Sequence, residues 1–230
     1  MSSTGRVFVL LTVLGVVVLA SPTDTPPARL VAGPMLGYSE PREVLLWAQT
    51  SGPARVKFVY WDEAGPGTKQ ETEEKVTLKS EAFIARLVAD RVAPGRRYAY
   101  ELHVDGRRVE RPYPLRFQSR MPRAAFGGGP TGLSSVRVAL GSCFWAPDPA
   151  DPTAGRREED YGIFTAIAAR QPDVMLWLGD NVYLRDMDAS TRSGLLERYG
   201  HNRALVELQP LLASAHHYAV WDDHDYGPND

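Results

Sequence analysis

The stretch Val174-Met175-Leu176-Trp177-Leu178-Gly179-Asp180 decides the fold of the second half of this 230-residue chain. Five uninterrupted apolar residues between Pro172 and a glycine are too few for a core helix and suit a strand buried on both faces. Upstream, Tyr161 to Gln171 puts Ile163, Phe164, Ile167 and Ala168 on one helical face, and Pro172 ends that helix. Further upstream, Val136-Arg137-Val138-Ala139-Leu140 reads as a short apolar strand ending at Gly141-Ser142-Cys143. Downstream, Leu195 to about Ala213 reads as mostly helical, interrupted near Gly200 and Pro210. Tyr218-Ala219-Val220-Trp221 is a third strand, ending at Asp222-Asp223-His224-Asp225. Strand, helix, strand, helix, strand is an α/β layered unit.

The first half has a different period. From about Leu30 to Ser119, apolar residues alternate with polar ones over Val44–Thr50, Val56–Trp61, Lys75–Lys79, Ala82–Val88, Tyr98–Val104 and Leu115–Ser119. Asp105-Gly106 is a hairpin signal after Tyr98–Val104. This density of short strands predicts a β-sandwich. Val92-Ala93-Pro94-Gly95 followed by Tyr98 and Tyr100 is similar to the corner of fibronectin type III and immunoglobulin-like domains, where a Tyr hydroxyl ties down the incoming loop. Alternating aromatics on any sandwich strand give the same pattern. Met121 to Ser135, with Gly127-Gly128-Gly129-Pro130, reads as a linker. No Lys or helix start follows those glycines, which argues against a phosphate cradle.

At the N-terminus, Arg6 precedes the uncharged run Val7–Ala20, which is shorter than the roughly 20 residues of a membrane span. Val18 and Ala20 suit cleavage before Ser21, and Pro22, Pro26 and Pro27 break any helix, so residues 1–20 are expected to be a signal peptide. An uncleaved N-terminal anchor is the alternative. The lack of a Cys after the run excludes a lipoprotein. The protein is therefore expected to be exported, to a compartment where one unpaired Cys is unusual.

A single Cys also excludes an intramolecular disulfide and a Cys-cluster zinc site. The net charge of −2 gives no reason to expect a nucleic-acid surface. That balance hides a split. Residues 21–133 carry +4, whereas residues 134–230 carry −7, with eight Arg, no Lys and 15 Asp or Glu. The missing Lys excludes a Walker-type or Schiff-base lysine from this half. Crowded carboxylates fit either a solvated surface or a hard-cation site.

The strand ends favour the second. Cys143, Asp180, and the pair Asp223 and His224 each follow an α/β strand at its carboxyl end, where ligands gather in such sheets. A thiolate, carboxylates and an imidazole on one rim form a transition-metal ligand set.

Gly179-Asp180-Asn181-Val182-Tyr183 resembles the G-D-x-x-Y motif of metallophosphoesterases. Trp221-Asp222-Asp223-His224-Asp225-Tyr226-Gly227-Pro228-Asn229-Asp230 resembles the W-D-D-H-[ED]-x-x-x-N-[ND] motif of PhoD-like alkaline phosphatases and phosphodiesterases, within the calcineurin-like superfamily. Gly141-Ser142-Cys143 is similar to that family's first motif, where Cys replaces the usual Asp-x-His. The resemblance spans about residues 30–230. It implies two domains: an immunoglobulin/fibronectin III-like β-sandwich at 30–120, then, past the linker at 121–135, an α/β metallophosphoesterase sandwich begun at 136–230. It also implies a two- or three-ion site of iron with calcium, with other divalent metals allowed. Cys143 would bind iron as thiolate, Asp180 would bridge the ions, Tyr183 would add a phenolate, and Asp223 would occupy the place of the superfamily's metal-binding Asn. His224 would donate a proton or stabilise the leaving oxygen, and Asp225 would orient His224. The implied substrate is a phosphomonoester or phosphodiester, whose nonbridging oxygens cations neutralise. A monomer without a nucleic-acid surface, and without a membrane span after leader cleavage, completes the expectation.

Taken singly, these residues admit other readings. Cys143 alone suits a small buried apolar residue, Asp180 a helix cap and Tyr183 a core aromatic; beside the motifs, the ligand reading is preferred for each. Asp222 reads equally as ligand, orienter or structural hydrogen-bonder, and Asn229 equally as contact or bystander. Arg198 and Arg203 read as a solvated helix face, and His103, His201, His216 and His217 as surface residues. The family completes its site with a later G-H-x-H-like segment, which neither follows nor precedes Asp230. The sequence therefore predicts a fragment with an incomplete C-terminal half, weak or absent metal binding and no useful activity. The competing reading is a non-catalytic exported β-sandwich binding module with a degenerate phosphatase remnant. A purple acid phosphatase proper would need an Asp where Cys143 stands.

Overall fold

The structure, a computed structural model, describes residues 26–65, 67, 69–121, 135–147 and 161–227. The expected leader, nearly all of the expected linker, and Asn229 and Asp230 lie outside the described residues. Among the described residues no helix is long and apolar enough to cross a membrane.

In chain order the first half contains β1 (Leu30–Ser39), β2 (Val44–Thr50), β3 (Arg55–Asp62), β4 (Gln70–Glu71), β5 (Lys75–Val76), β6 (Ile84–Ala89), β7 (Arg97–Val104), β8 (Arg107–Arg108) and β9 (Arg116–Gln118). The second half contains β10 (Val138–Gly141), α1 (Gly162–Ala169), β11 (Val174–Leu178), α2 (Asp186–Ala189), α3 (Arg192–Arg203), α4 (Gln209–Ser214) and β12 (His216–Val220), then a 3-10 turn at Asp223–Asp225. Most of the alternating segments become strands within two residues of their expected bounds. Lys75–Lys79 is shorter than expected, because a 3-10 turn begins at Lys79. Asp105 and Gly106 have φ of 49° and 74°, the pair of positive values a two-residue hairpin needs, and they join β7 to β8. The Tyr98 hydroxyl accepts a hydrogen bond from the Ala93 N–H at 2.7 Å, closing the expected corner.

The strands form two six-stranded sheets. One is the antiparallel group around β3 and β7; the other runs β10-β11-β12-β1-β2-β6. In the second sheet β10, β11, β12 and β1 are parallel, while β2 and β6 run antiparallel. The sandwich and the α/β half therefore share a sheet, joined where Leu36 of β1 faces His216 of β12. Polar side chains stitch this seam: Ser39 N–H donates to the Tyr218 hydroxyl at 3.0 Å, and the Tyr100 hydroxyl donates to Ala213 O at 2.9 Å. His216 is buried there, its ring nitrogens 2.9 Å from Gly37 O and Gln118 O. Its neighbour His217 receives the Trp177 indole N–H at 2.9 Å, and burial pushes its pKa down to about 4. Neither is the surface histidine the sequence suggested, because a strand that joins two half-sheets buries its N-terminal end.

β1 serves two cores by strand alternation. Leu36 joins Val44, Leu46 and Leu87 against Phe58, Tyr60, Tyr98 and Phe117 of the facing sheet. Met35, on the opposite face, packs toward Phe144, Phe164, Met175, Leu211 and Leu212. The expectation that β11 is buried on both faces fails: only Met175 is fully buried, and Leu178 is exposed. α1 and α4 cover one side of the parallel strands, leaving Val138, Leu140, Leu178 and Val220 exposed. Ile163 likewise points outward from α1, whose inward anchor is Phe164.

Candidate metal centre at the strand ends

Three parallel strands deliver their carboxyl ends to one edge. After β11 the chain passes through Gly179 (φ 93°) and Asp180 (φ 51°); after β10 it reaches Cys143 (φ 57°). Asp and especially Cys are uncommon in this left-handed region, and strained backbone of this kind concentrates at functional sites. A Cβ on Gly179 would lie 2.8 Å from the Asp222 Cβ, so only glycine lets the second loop approach the third this closely.

Asp180, Asp223 and His224 each offer a ligand atom, all within 4.8 Å of one another. Tyr183 joins them: its hydroxyl lies 3.2 Å from Asp180 Oδ2, and its ring lies 4.2 Å, centroid to centroid, from His224. The exposed Cys143 thiol lies on the same side and acts electrostatically on that hydroxyl. Burial, the Asp180 carboxylate and the Cys143 thiol raise the Tyr183 pKa, so the phenol keeps its proton here. Asp180 Oδ1 is buried and has no hydrogen-bond partner. Among the described residues no Lys or Arg pairs with Asp180, Asp222 or Asp223. An orphaned carboxylate oxygen beside a second carboxylate and an imidazole fits a cation, and Cys143 and Tyr183 could complete its ligands.

Asp225 stands elsewhere than expected. Its carboxylate accepts from Asn181 N–H at 2.8 Å, Val182 N–H at 3.3 Å, Asp222 N–H at 3.0 Å, the Asn181 side-chain amide at 3.1 Å and the Tyr199 hydroxyl at 3.3 Å. No bond to the His224 ring remains, because adjacent side chains of the 3-10 turn diverge. Asp225 is a clamp between the second and third loops. Asp222 takes the structural option: its Oδ1 accepts from Asp223 N–H at 3.0 Å, capping the turn.

Helix α3 is where a helix is expected, but the sequence conceals its buried polar face. Gly200 does not interrupt it; a Cβ there would approach the Gln49 amide at 3.2 Å, so the glycine lets α3 lie close to β2. Pro210 does not interrupt α4 either, since it sits in that helix's first turn. One side of α3 holds all three loops. Arg198, 4% exposed, donates to Tyr183 O at 3.1 Å and Ala146 O at 2.5 Å. The Asn202 amide donates to Asn181 O at 3.2 Å and Phe144 O at 3.4 Å, while His201 lies 3.0 Å from Pro147 O. Tyr199 adds a bond to Asp225 O at 3.0 Å. Arg203 is also drawn inward, over the rings of Trp47 and Tyr199. These arginines are not a solvated face: the strand-end loops expose carbonyls that only side-chain donors can satisfy.

A solved structure of PhoD matches the fold of the chain with a TM-score of 0.61 and 14% identity, over 89% of this chain and 40% of that one. In fold, the chain is PhoD-like. It spans about two-fifths of the PhoD chain's length. A family model described as a domain of unknown function, DUF7800, matches residues 27–122. The sensor domain of the anti-sigma factor RsgI4 from Pseudobacteroides cellulosolvens matches at TM-score 0.32 and 11% identity, over 43% of this chain and 100% of that one. The fn3 domain of human contactin 1 matches at 0.30 and 14%, over 50% and 93%. No curated protein matches the chain.

Proposed function

We propose that the chain carries the strand-end half of an exported metal-dependent hydrolase acting on phosphate mono- or diesters. The observation that carries this reading is Asp180: its carboxylate has a buried, unpartnered Oδ1 and offers a ligand atom within 4.8 Å of one on Asp223 and one on His224. The PhoD-like fold supports it. Asp180, Asp223, Cys143 and Tyr183 would hold iron and calcium ions, which supply charge neutralisation at the phosphoryl oxygens. His224, packed on the Tyr183 ring, offers an imidazole to protonate the leaving oxygen. Asp225, Arg198 and Asn202 keep the loops in register, so that little reorganisation is needed when an ester binds.

Metal retention tests the reading. The sequence alone predicts weak or absent metal binding, but the unpartnered Asp180 Oδ1 and the clustered ligands favour binding. The purified full chain, stripped with EDTA and reloaded with iron and calcium, is therefore expected to retain metal after gel filtration. Asp180→Asn should abolish retention, and Cys143→Ser should remove iron selectively. Equal retention by wild type and Asp180→Asn would overturn the assignment.

A further inference from the structure

Six buried side-chain nitrogen or oxygen atoms among the described residues lack a hydrogen-bond partner, and five of them fall into two groups of opposite chemistry. Asp180 Oδ1, Asn181 Oδ1 and Asn202 Oδ1 belong to the strand-end half, and all three are acceptors. The two amides are oriented by their own donor bonds, Asn181 to Val220 O and Asn202 to Asn181 O and Phe144 O. The other two atoms are Arg111 Nε, which can only donate, and the Tyr113 hydroxyl, whose O–H is free to donate, and both residues line one cavity of about 230 Å³ on the sandwich. Orphaned acceptors suit a cation; orphaned donors suit an anion.

The cavity lies beside β7, with Tyr100, Trp61 and Leu115 among its walls. Its rim charges are already paired: Arg108 with Glu101 at 3.2 Å, and Arg116 with Glu63 at 2.5 Å. The Tyr100 hydroxyl is spent on Ala213 O. Arg111 is different. It donates from Nη2 to Gly33 O at 2.7 Å, and among the described residues it forms no ion pair. Its Nε–H and the Tyr113 O–H are thus buried donors that the protein itself does not use. Burial also raises the Tyr113 pKa, so that hydroxyl stays protonated.

We infer that this cavity is a second binding site, for a small oxyanion (a carboxylate or a phosphate) carried on a compact apolar body. Both donors are covered in the unliganded chain, so an oxyanion reaches them by displacing the cavity wall. It then takes both in charge-assisted hydrogen bonds and supplies the ion-pair partner that Arg111 lacks. Trp61, Val109, Pro114 and Leu115 then cover the apolar part. The site stands apart from the strand-end centre and does not depend on metal there.

Calorimetric titration of the EDTA-treated full chain tests it, with benzoate, phenyl phosphate and neutral benzyl alcohol as probes. Saturable binding is expected for at least one of the two anions and not for the alcohol; the tighter anion identifies the headgroup. Tyr113→Phe should weaken binding about 5-fold and Arg111→Met about 10-fold or more, as loss of a neutral and of a charged hydrogen bond implies. Because the Tyr113 hydroxyl has no protein partner, Tyr113→Phe should leave the unliganded melting temperature unchanged or raised, which separates lost binding from misfolding. Asp180→Asn should leave the affinity unchanged. The inference is overturned if neither anion saturates, if benzyl alcohol binds as well, if Tyr113→Phe binds like wild type, or if Asp180→Asn abolishes binding.

Discussion

The two ends of the shared sheet are held by different means. Around β1, β2 and β6 the facing sheet supplies a continuous apolar layer, with Leu36, Leu46, Leu87, Phe58 and Tyr60 fully buried. Around β10, β11 and β12 one face is packed and the other is exposed, and the loops beyond the strands are fixed by side-chain donors on backbone carbonyls. Apolar packing is non-directional and sets the fold, whereas hydrogen bonds are directional and fix particular atoms. The sandwich end thus provides stability and the strand-end half provides geometry.

Substitutions that load only one mechanism break or sharpen this contrast. Leu87→Ala, in the sandwich core, should cost about 2–5 kcal/mol in denaturant unfolding while leaving metal retention unchanged. Acid probes the seam. The His217 pKa falls from an ordinary 6.5 to about 4 on folding, so the unfolded chain binds more protons between those values. Stability should therefore decline as pH drops from 6.5 toward 4, by no more than about 3 kcal/mol from this group, and His217→Gln should flatten the decline. Arg198→Lys keeps the charge but cannot span the Tyr183 and Ala146 carbonyls. It should cost about 1–3 kcal/mol and weaken metal retention, the reverse pattern of Leu87→Ala. Smallest of all, Leu140→Ser on the exposed face should change stability by less than about 0.5 kcal/mol, since Leu140 is already 62% exposed.

What was legible in the sequence follows the same division. Period-two segments marked most of the sandwich strands, and apolar runs ending in Cys143, Asp180 and Asp223-His224 marked the edge where a site could form. β1 was not read as a strand, because Gly33, Pro34 and Gly37 interrupt its alternation and register shifts let it pair irregularly with β2. The exposed outward face of β11 escapes the sequence because a run of apolar residues does not say whether both sides are covered. The buried polar face of α3 is hidden for a deeper reason. Arg198, Tyr199 and Asn202 bury polar groups against backbone, which leaves no hydrophobic period, and Arg-Tyr-Gly-His-Asn-Arg has the composition of a solvated helix. Asp225 was assigned to its nearest neighbour in sequence, while its partners at Asn181, Val182 and Tyr199 are brought to it only by the fold.

The β1–β12 seam also has a kinetic meaning. His216 and Gly37, bonded across it, lie 179 residues apart in the chain. Contacts at such separation form late, because closing the intervening chain costs entropy that only completed packing offsets. The sandwich can assemble from local hairpins, but until β12 arrives the free side of β1 presents unpaired N–H and C=O groups that accept any strand in parallel. During biogenesis that edge is exposed to mispairing, and β12, by docking on it, both joins the rim to the sandwich and shields it.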